Sequence, residues 1–403
     1  MPLQQTDAVA PGHLVTVAVV LLASLTLMAN ATISPALPGL RAHFADVDGI
    51  ETLAGLLLTL PSASILLAAG VFGWLADRVD RQKLLIAATL LYAVGGTSGL
   101  WANTLPQLLA GRMVLGLGVA GSMTLAMAWG ADLWHGAARA RFLGIQGAAM
   151  SAGGIVVMLL GGALALLGWR GAFAVYALVL PVAGFALYAL APYAAALREG
   201  RVARAEARLT EAGNFPWAAY ALIGGLAFVF MATFYIMPTR LPFLLEGLGV
   251  SNPMTLGLIM ATMTLTSIPG SLAYGRIRRH LSAMSVYALS YGFMGLGLIL
   301  ISQADGVAMV VMGTLLAGAG MGPAMPNYTT HFMAFVAPSQ RGRAAGLLTT
   351  AFFAGQFASP LVSAPLVAWF GPAGGFGAAG VALVTLSLVV MVSGIRHRVM
   401  ANA

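Results

Sequence analysis

"GWLADRVDRQK", residues 73–83, places five charged side chains (Asp77, Arg78, Asp80, Arg81 and Lys83) within seven consecutive positions. The stretch before it, 53–76, carries no charge at all. An uncharged run of that length is enough to cross the hydrocarbon of a bilayer as a helix, which takes about 20 residues. The cluster therefore reads as a loop at a membrane surface, entered from an apolar helix.

The rest of the chain repeats this alternation. Of its 403 residues 60% are hydrophobic and only 8% charged, with a mean hydropathy of +0.90. Soluble domains are about 25% charged, so the composition points to an integral membrane protein. The 50 glycines and 19 prolines fit, because both are common in membrane helices. There is no cysteine, which excludes disulfides, thiolate metal sites and cysteine nucleophiles. Residues 1–13 hold no Lys or Arg, and the apolar run from Leu14 is too long for a signal-peptide core. It is expected to be the first spanning helix.

Charged and Pro/Gly-rich breaks divide the chain into twelve candidate spans: 14–37, 52–75, 84–102, 105–128, 142–166, 172–193, 217–239, 253–275, 283–302, 306–330, 344–369 and 373–394. With both termini in the cytoplasm, 16 of the 20 Lys and Arg residues fall in cytoplasmic segments. Arg41, Arg170 and Arg240 fall on the far side, and Arg112 lies inside the fourth span. That bias fixes the orientation. The net charge of +8 is thus topology information, and nucleic acid is not an expected partner.

A repeat accompanies the spans. "GRMVLGLGVAG" (111–121) matches "GTLLAGAGMGP" (313–323), and "RFLGIQGAAMSAG" (141–153) matches "RAAGLLTTAFFAG" (343–355), both at an offset of 202. "GWLADRVDR" (73–81) aligns with "GSLAYGRIR" (270–278) at 197, with Tyr274 and Ile277 in place of the two acids. Two homologous six-helix halves follow: residues 1–193 and 217–403, joined by a cytoplasmic linker at 194–216.

These residues resemble the major facilitator superfamily over nearly the whole chain, and its twelve-helix drug:proton antiporter-like branch in particular. Gly73, Leu75, Asp77, Arg78, Arg81 and Lys83 meet the superfamily's signature between its second and third helices; Asp80 stands where Gly is usual. Arg112, Gly116 and Gly118 resemble the fourth-helix signature of proton-coupled members, and "GWRGAF" (168–173) the usual join of helices five and six. The fifth-helix antiporter signature is met only in part: Gly153, Gly161 and Gly162 align, but Val157 and Met158 replace its Gly-Pro pair. The eleventh span has Ser359-Pro360 at the equivalent place.

The resemblance implies an all-α membrane fold of two pseudo-symmetric six-helix bundles, working by alternating access around a midplane site. Gly73 is expected to permit close helix contact. Asp77 can face the positive N-terminus of another helix, which the resemblance implies is the eleventh, just after Arg343. It also implies that Arg81 pairs with Asp132, so that Gly73, Asp77, Arg78, Arg81 and Asp132 latch the halves in the outward-facing state. The competing reading is a plain positive-inside loop.

Ionisable groups inside a span are costly and usually functional. Arg112 is assigned to proton coupling or substrate contact, the alternative being an Arg that snorkels to the far interface. No Asp or Glu falls at the centre of a span, and Asn30 stands where many relatives have Asp. Candidate cavity-lining groups are Asn30 and Ser34, Tyr235 and Thr239, and Asn327 and His331, each pair sharing a helix face, with Gln146 and Gln356. Each either lines the cavity or makes an interhelical hydrogen bond.

Methionines cluster at Met321, Met325 and Met333 and at Met231 and Met237. Thioethers suit Cu(I), but methionine is also the adaptable filler of apolar cores, and no metal site or cofactor is assigned. The six histidines form no HExxH pair, and the only lysine is not in a phosphate loop. The chain is not expected to be an enzyme. It is expected to be a monomeric transporter of the bacterial inner membrane, with the lipid bilayer, protons and a small-molecule substrate as its partners. Efflux of a drug-like or metabolite compound comes first. Uptake of an organic anion held by Arg112 or Arg240 is the alternative, and a non-transporting scaffold or sensor is the rival of another class.

Overall fold

The computed structural model describes residues 11–134, 136–193, 214–337 and 340–402, and these are helical with no strand among them. Most of the expected linker, 194–213, lies outside the described residues. The helices are α1 His13–Ala31, α2 Leu37–His43, α3 Ile50–Arg78, α4 Arg81–Gly96, α5 Ser98–Trp101, α6 Leu105–Leu133, α7 Gly136–Ala165 and α8 Val179–Leu190. After the linker come α9 Trp217–Phe234, α10 Ile236–Gly247, α11 Pro253–His280, α12 Ala283–Ser302, α13 Val307–Met333 and α14 Arg341–Asn402.

Among the described residues ten helical stretches are long and apolar enough to cross a membrane. The last, Arg341–Ser393, contains a break at Gly371, whose φ of 76° only glycine adopts readily. The first span was expected to end at 37. Instead α1 stops at Ala31, and a 3-10 turn at Ser34–Ala36 carries the chain into α2. Pro35 and Pro38 explain the break, since neither has an N–H for a helical bond. Arg41 and Arg240, expected on the far side, lie within the short helices α2 and α10.

The join "GWRGAF" has a local cause. Gly168 takes a φ of 106°, and a Cβ on Gly171 would stand 2.1 Å from the Leu164 carbonyl. Arg170 Nη1 donates to the carbonyls of Gly99 (2.9 Å) and Ala102 (2.6 Å), closing the neighbouring turn.

The repeat is visible in the packing. A Cβ on Gly116 would meet the Pro61 carbonyl and Ser64, and one on Gly318 the Met263 carbonyl and Thr266. A Cβ on Gly118 would meet Tyr92 N and the Ala88 carbonyl, and one on Gly320 Met294 N and the Ser290 carbonyl. Every residue in the second set is 202 beyond its counterpart. The same spacing relates Asp80, whose side chain caps α4, to Ser282, which caps α12. It therefore runs through the charged loop and corrects the 197 alignment: Gly275 answers Gly73 and Arg279 answers Asp77.

α1, α3, α4, α6, α7 and α8 pack together, and α9, α11, α12, α13 and α14 form a second group. The groups meet chiefly where α7 lies on α11 and α3 on α14, with α10 against α2 and α3. Close approaches between them lie toward one end of the bundle. A Cβ on Gly55 would stand 3.2 Å from Pro360 Cβ, and one on Gly162 2.8 Å from the Pro253 carbonyl. At the other end, where Arg78, Arg139, Arg276 and Arg341 lie, the same four helices carry Gly73, Gly144, Gly275 and Gly346. A Cβ at any of these would meet no atom within 4 Å. Among the described residues, close approaches between the two groups are thus seen toward one end, and none is seen at these four glycines of the basic end.

Candidate functional site

Arg112 is wholly buried on α6. Its Nε donates to the Leu57 carbonyl of α3 (2.7 Å) and its Nη2 to the Ala29 carbonyl of α1. Both acceptors have a reason to be available. Pro61, four residues after Leu57, has no N–H to offer it. Ala29 is in the last turn of α1, whose carbonyls lack helical partners. The guanidinium lies 5.1 Å from the Tyr176 ring, and the Tyr176 hydroxyl also donates to Ala29 (3.2 Å). Nη1 is buried without a hydrogen-bond partner among the described residues. Arg112 thus ties the breaks of two helices together and does not snorkel.

Proline-freed carbonyls recur. Pro242 removes the N–H that would bond Pro238, and Ser34 Oγ from the other group donates to that carbonyl. Pro326 does the same for Gly322, whose carbonyl accepts from Ser271 Oγ (2.7 Å). In hydrocarbon an unbonded carbonyl is costly, so each break brings a donor to it.

In the charged loop, Arg81 Nη1 stands 2.7 Å from Asp132 Oδ2, with the two side chains only 7% and 13% exposed. Asp80 accepts from the backbone N–H groups of Gln82 and Lys83, so the acid in the usual glycine position serves as a helix cap. Arg78 is exposed and stacks on Trp74 at 4.3 Å. A Cβ on Gly73 would meet no atom within 4 Å, so the close helix contact expected there is not made. The Asp77 side chain lies outside the described ones. Arg343 rests on the rings of Phe215 (4.7 Å) and Trp217 (5.0 Å).

The cavity candidates separate into kinds. Ser34 and Thr239 are fully buried where the two groups meet; Thr239 donates to the Tyr235 carbonyl of its own chain (2.7 Å). Tyr235 is buried beside Phe234. Gln356 on α14 accepts from Ser62 Oγ of α3 (2.9 Å), a polar tie between groups. Asn327 is fully buried, donating to the Ala283 carbonyl (3.0 Å) and accepting from the Tyr274 hydroxyl (3.2 Å). Its bonds hold α11, α12 and α13 together. His331 is half-buried between Tyr287 and Phe335, and Gln146 is half-buried on α7. The Asn30 side chain lies outside the described ones.

One cluster was not foreseen. At the closed end Arg41 bridges Glu51 of α3 and Glu246 of α10, each at 2.6 Å. Arg240 of α10 donates to Thr52 (3.1 Å) and Ser363 (3.3 Å) and lies 3.8 Å from Glu51. Placing Arg41 and Arg240 on the far side did not pair them with Glu51 and Glu246; the helices α2 and α10 bring the four together.

The sequence model of the Major Facilitator Superfamily matches residues 19–330 and 222–399. A class C tetracycline resistance protein from Escherichia coli is 36% identical over 154 residues, 36% of this chain and 37% of that protein. The minor myo-inositol transporter IolF of Bacillus subtilis is 36% identical over 31% of this chain and 30% of its own length. The matches thus span about a third of these curated relatives. Among solved structures, a mutant of the peptide transporter POT superposes with a TM-score of 0.76 at 14% identity, covering 96% of this chain and 95% of that one. A D-xylose-proton symporter gives 0.72 at 16%, covering 94% and 96%. Identities this low speak for the fold alone.

Proposed function

The chain belongs to the Major Facilitator Superfamily, and from that premise we propose that it is a secondary active transporter exporting a small organic solute in exchange for protons. The observation that carries this is the one-sided closure. α3 and α14 approach closely at Gly55, and α7 and α11 at Gly162, whereas a Cβ on Gly73, Gly144, Gly275 or Gly346 at the basic end would meet no atom within 4 Å, which supports a closure on one side only. That is the geometry expected of one limb of an alternating-access cycle. Counting the rod broken at Gly371 as two spans and α1 as another, the ten long apolar stretches among the described residues support a count of twelve spans. Residues 1–193 and 217–403 are the two moving halves and 194–216 the linker.

The protein is a multi-pass membrane protein, here proposed to be a monomer of the bacterial inner membrane. Both termini and the basic end are cytoplasmic, so the open end faces the cytoplasm. The loop at 73–83 is then a latch in its released state. A Cβ on Gly73 would meet no atom within 4 Å, Arg78 rests on Trp74 and Arg343 on Phe215 and Trp217. Asp77 engages the start of α14 when that end closes. Arg112 couples proton movement to the break in α1.

Export is favoured over anion uptake by where the guanidiniums lie. Uptake needs Arg112 or Arg240 turned into the opening, and both are buried and engaged. The tetracycline resistance relative and the bacillibactin exporter of Bacillus subtilis, 28% identical over 27% of this chain, support the same direction.

The test is a proton-flux assay in liposomes, with a trapped pH dye and a panel of antibiotics, amphipathic dyes, sugars and organic acids. Substrate-dependent proton movement of antiport sign, lost in Arg112→Ala, is the expected result. Symport sign with an organic acid would overturn export, and silence across the panel from folded protein would favour a sensor.

A further inference from the structure

We propose that Arg41, Glu51, Arg240 and Glu246 form a gate on the closed side, a clasp that opens and shuts with each transport cycle. The proposal rests on the alternating-access reading above. Arg41 and Glu51 belong to the first half, Arg240 and Glu246 to the second. Arg41 divides its nitrogens, one on Glu51 of its own half and one on Glu246 of the other, both at 2.6 Å. Arg240 reaches back to Glu51 (3.8 Å) and Thr52 (3.1 Å) while keeping Ser363 of its own half (3.3 Å).

The arrangement suits a reversible contact. Each half contributes one arginine and one carboxylate, so parting the halves leaves neither with a net charge from the clasp. Each arginine also keeps a partner within its half, which holds it in place for reclosure. Arg41, Glu51 and Glu246 are each about one-third exposed (32%, 35% and 32%), so water is at hand to take over the broken pairs. Exposed pairs are weak and fall with salt. A gate needs this weakness, because a deeply buried pair would hold one state shut.

Behind the clasp lies an uncharged seam. Ser34 Oγ donates across to the Pro238 carbonyl, and Thr239 packs against Gly55 with no solvent exposure. The chain has no cysteine, so a single introduced one reports on this seam without further change. Thr239→Cys is the first reporter and Ser34→Cys the second, one from each half. The probe is a membrane-impermeant maleimide added to right-side-out membranes, and reporters are used only where the purified protein is monodisperse.

The expected result is slow labelling of the parent, and labelling about two- to fivefold faster in Glu246→Gln and in Arg41→Gln, as the loss of one exposed ion pair predicts. Asp305→Asn, which removes an exposed acid outside the clasp, leaves the rate unchanged. Raising salt speeds the parent more than Glu246→Gln. Equal rates in parent and both clasp variants, with either reporter, overturn the gate. Because labelling needs no substrate, a working gate in a protein that moves nothing would refute the transport reading and leave the clasp standing.

Discussion

Arg112 donates 2.7 Å to the carbonyl of Leu57, the group that Pro61 leaves without a helical bond. The two residues form one unit: the proline opens the helix, and the arginine of the neighbouring helix closes it electrostatically. Replacing Arg112 by Met keeps the volume and removes the donors. The expected cost is about 1–3 kcal/mol, since two buried carbonyls lose a charged donor. Adding Pro61→Ala restores an N–H to Leu57 and recovers part of it. A double-mutant cycle on thermal unfolding in detergent measures the coupling. Strictly additive effects would show that the carbonyl is not what Arg112 serves.

The glycines of the repeat make a second, sharper contrast. A Cβ on Gly118 would lie 2.3 Å from Tyr92 N, and one on Gly320 2.5 Å from the Ser290 carbonyl. Both are backbone atoms, so the helices must separate. Gly118→Ala and Gly320→Ala are each expected to destabilise by about 1–3 kcal/mol. Gly73→Ala meets nothing within 4 Å and is expected to leave stability in the basic-end-open state unchanged. If Gly73→Ala nonetheless slows transport, the contact it obstructs belongs to the other state, as the latch requires. Equal thermal losses at all three positions would contradict the open end.

The Arg81–Asp132 pair gives a third test. Both side chains are nearly buried, so removing one deprives the other charge of this counter-ion where water cannot readily replace it. Asp132→Asn and Arg81→Gln are each expected to lower stability by about 2–4 kcal/mol, and the double variant by less than their sum. A cycle showing no coupling would reduce the pair to a surface contact.

Charge and periodicity made the spans, the loop and the repeat legible in the sequence, because a bilayer punishes any misplaced charge. The clasp was not legible, for the opposite reason. Arg41 and Arg240 sit at the ends of apolar runs, and charge there reads as the start of a loop. Continuing those helices takes prolines, at 35, 38 and 242, that sequence reasoning counts as breaks. The prolines held a usable signal, since each frees the carbonyl four residues before it. Asking what could fill the Pro238 carbonyl would have led to a donor such as Ser34. Asn327 and Ser34 are both polar residues of apolar runs, yet one bonds within a half and the other across the seam. Only packing tells them apart.

That distinction yields the last prediction. Asn327 ties α11, α12 and α13 within one half, through Ala283 and Tyr274. Asn327→Leu removes the donor to the buried Ala283 carbonyl, while the Tyr274 hydroxyl keeps its bond with Thr330, at a cost of about 1 kcal/mol. It is expected to lower thermal stability while leaving the transport KM of the folded fraction unchanged. Gln356 instead meets Ser62 between halves. A bond of that kind contributes about 0.6 kcal/mol in a membrane protein, so Gln356→Leu should scarcely affect unfolding. It acts where the halves move, and is expected to change transport rate or the accessibility of the seam. Measuring both readouts on both variants decides the matter: a KM effect from Asn327→Leu at unchanged stability would return that residue to the substrate cavity.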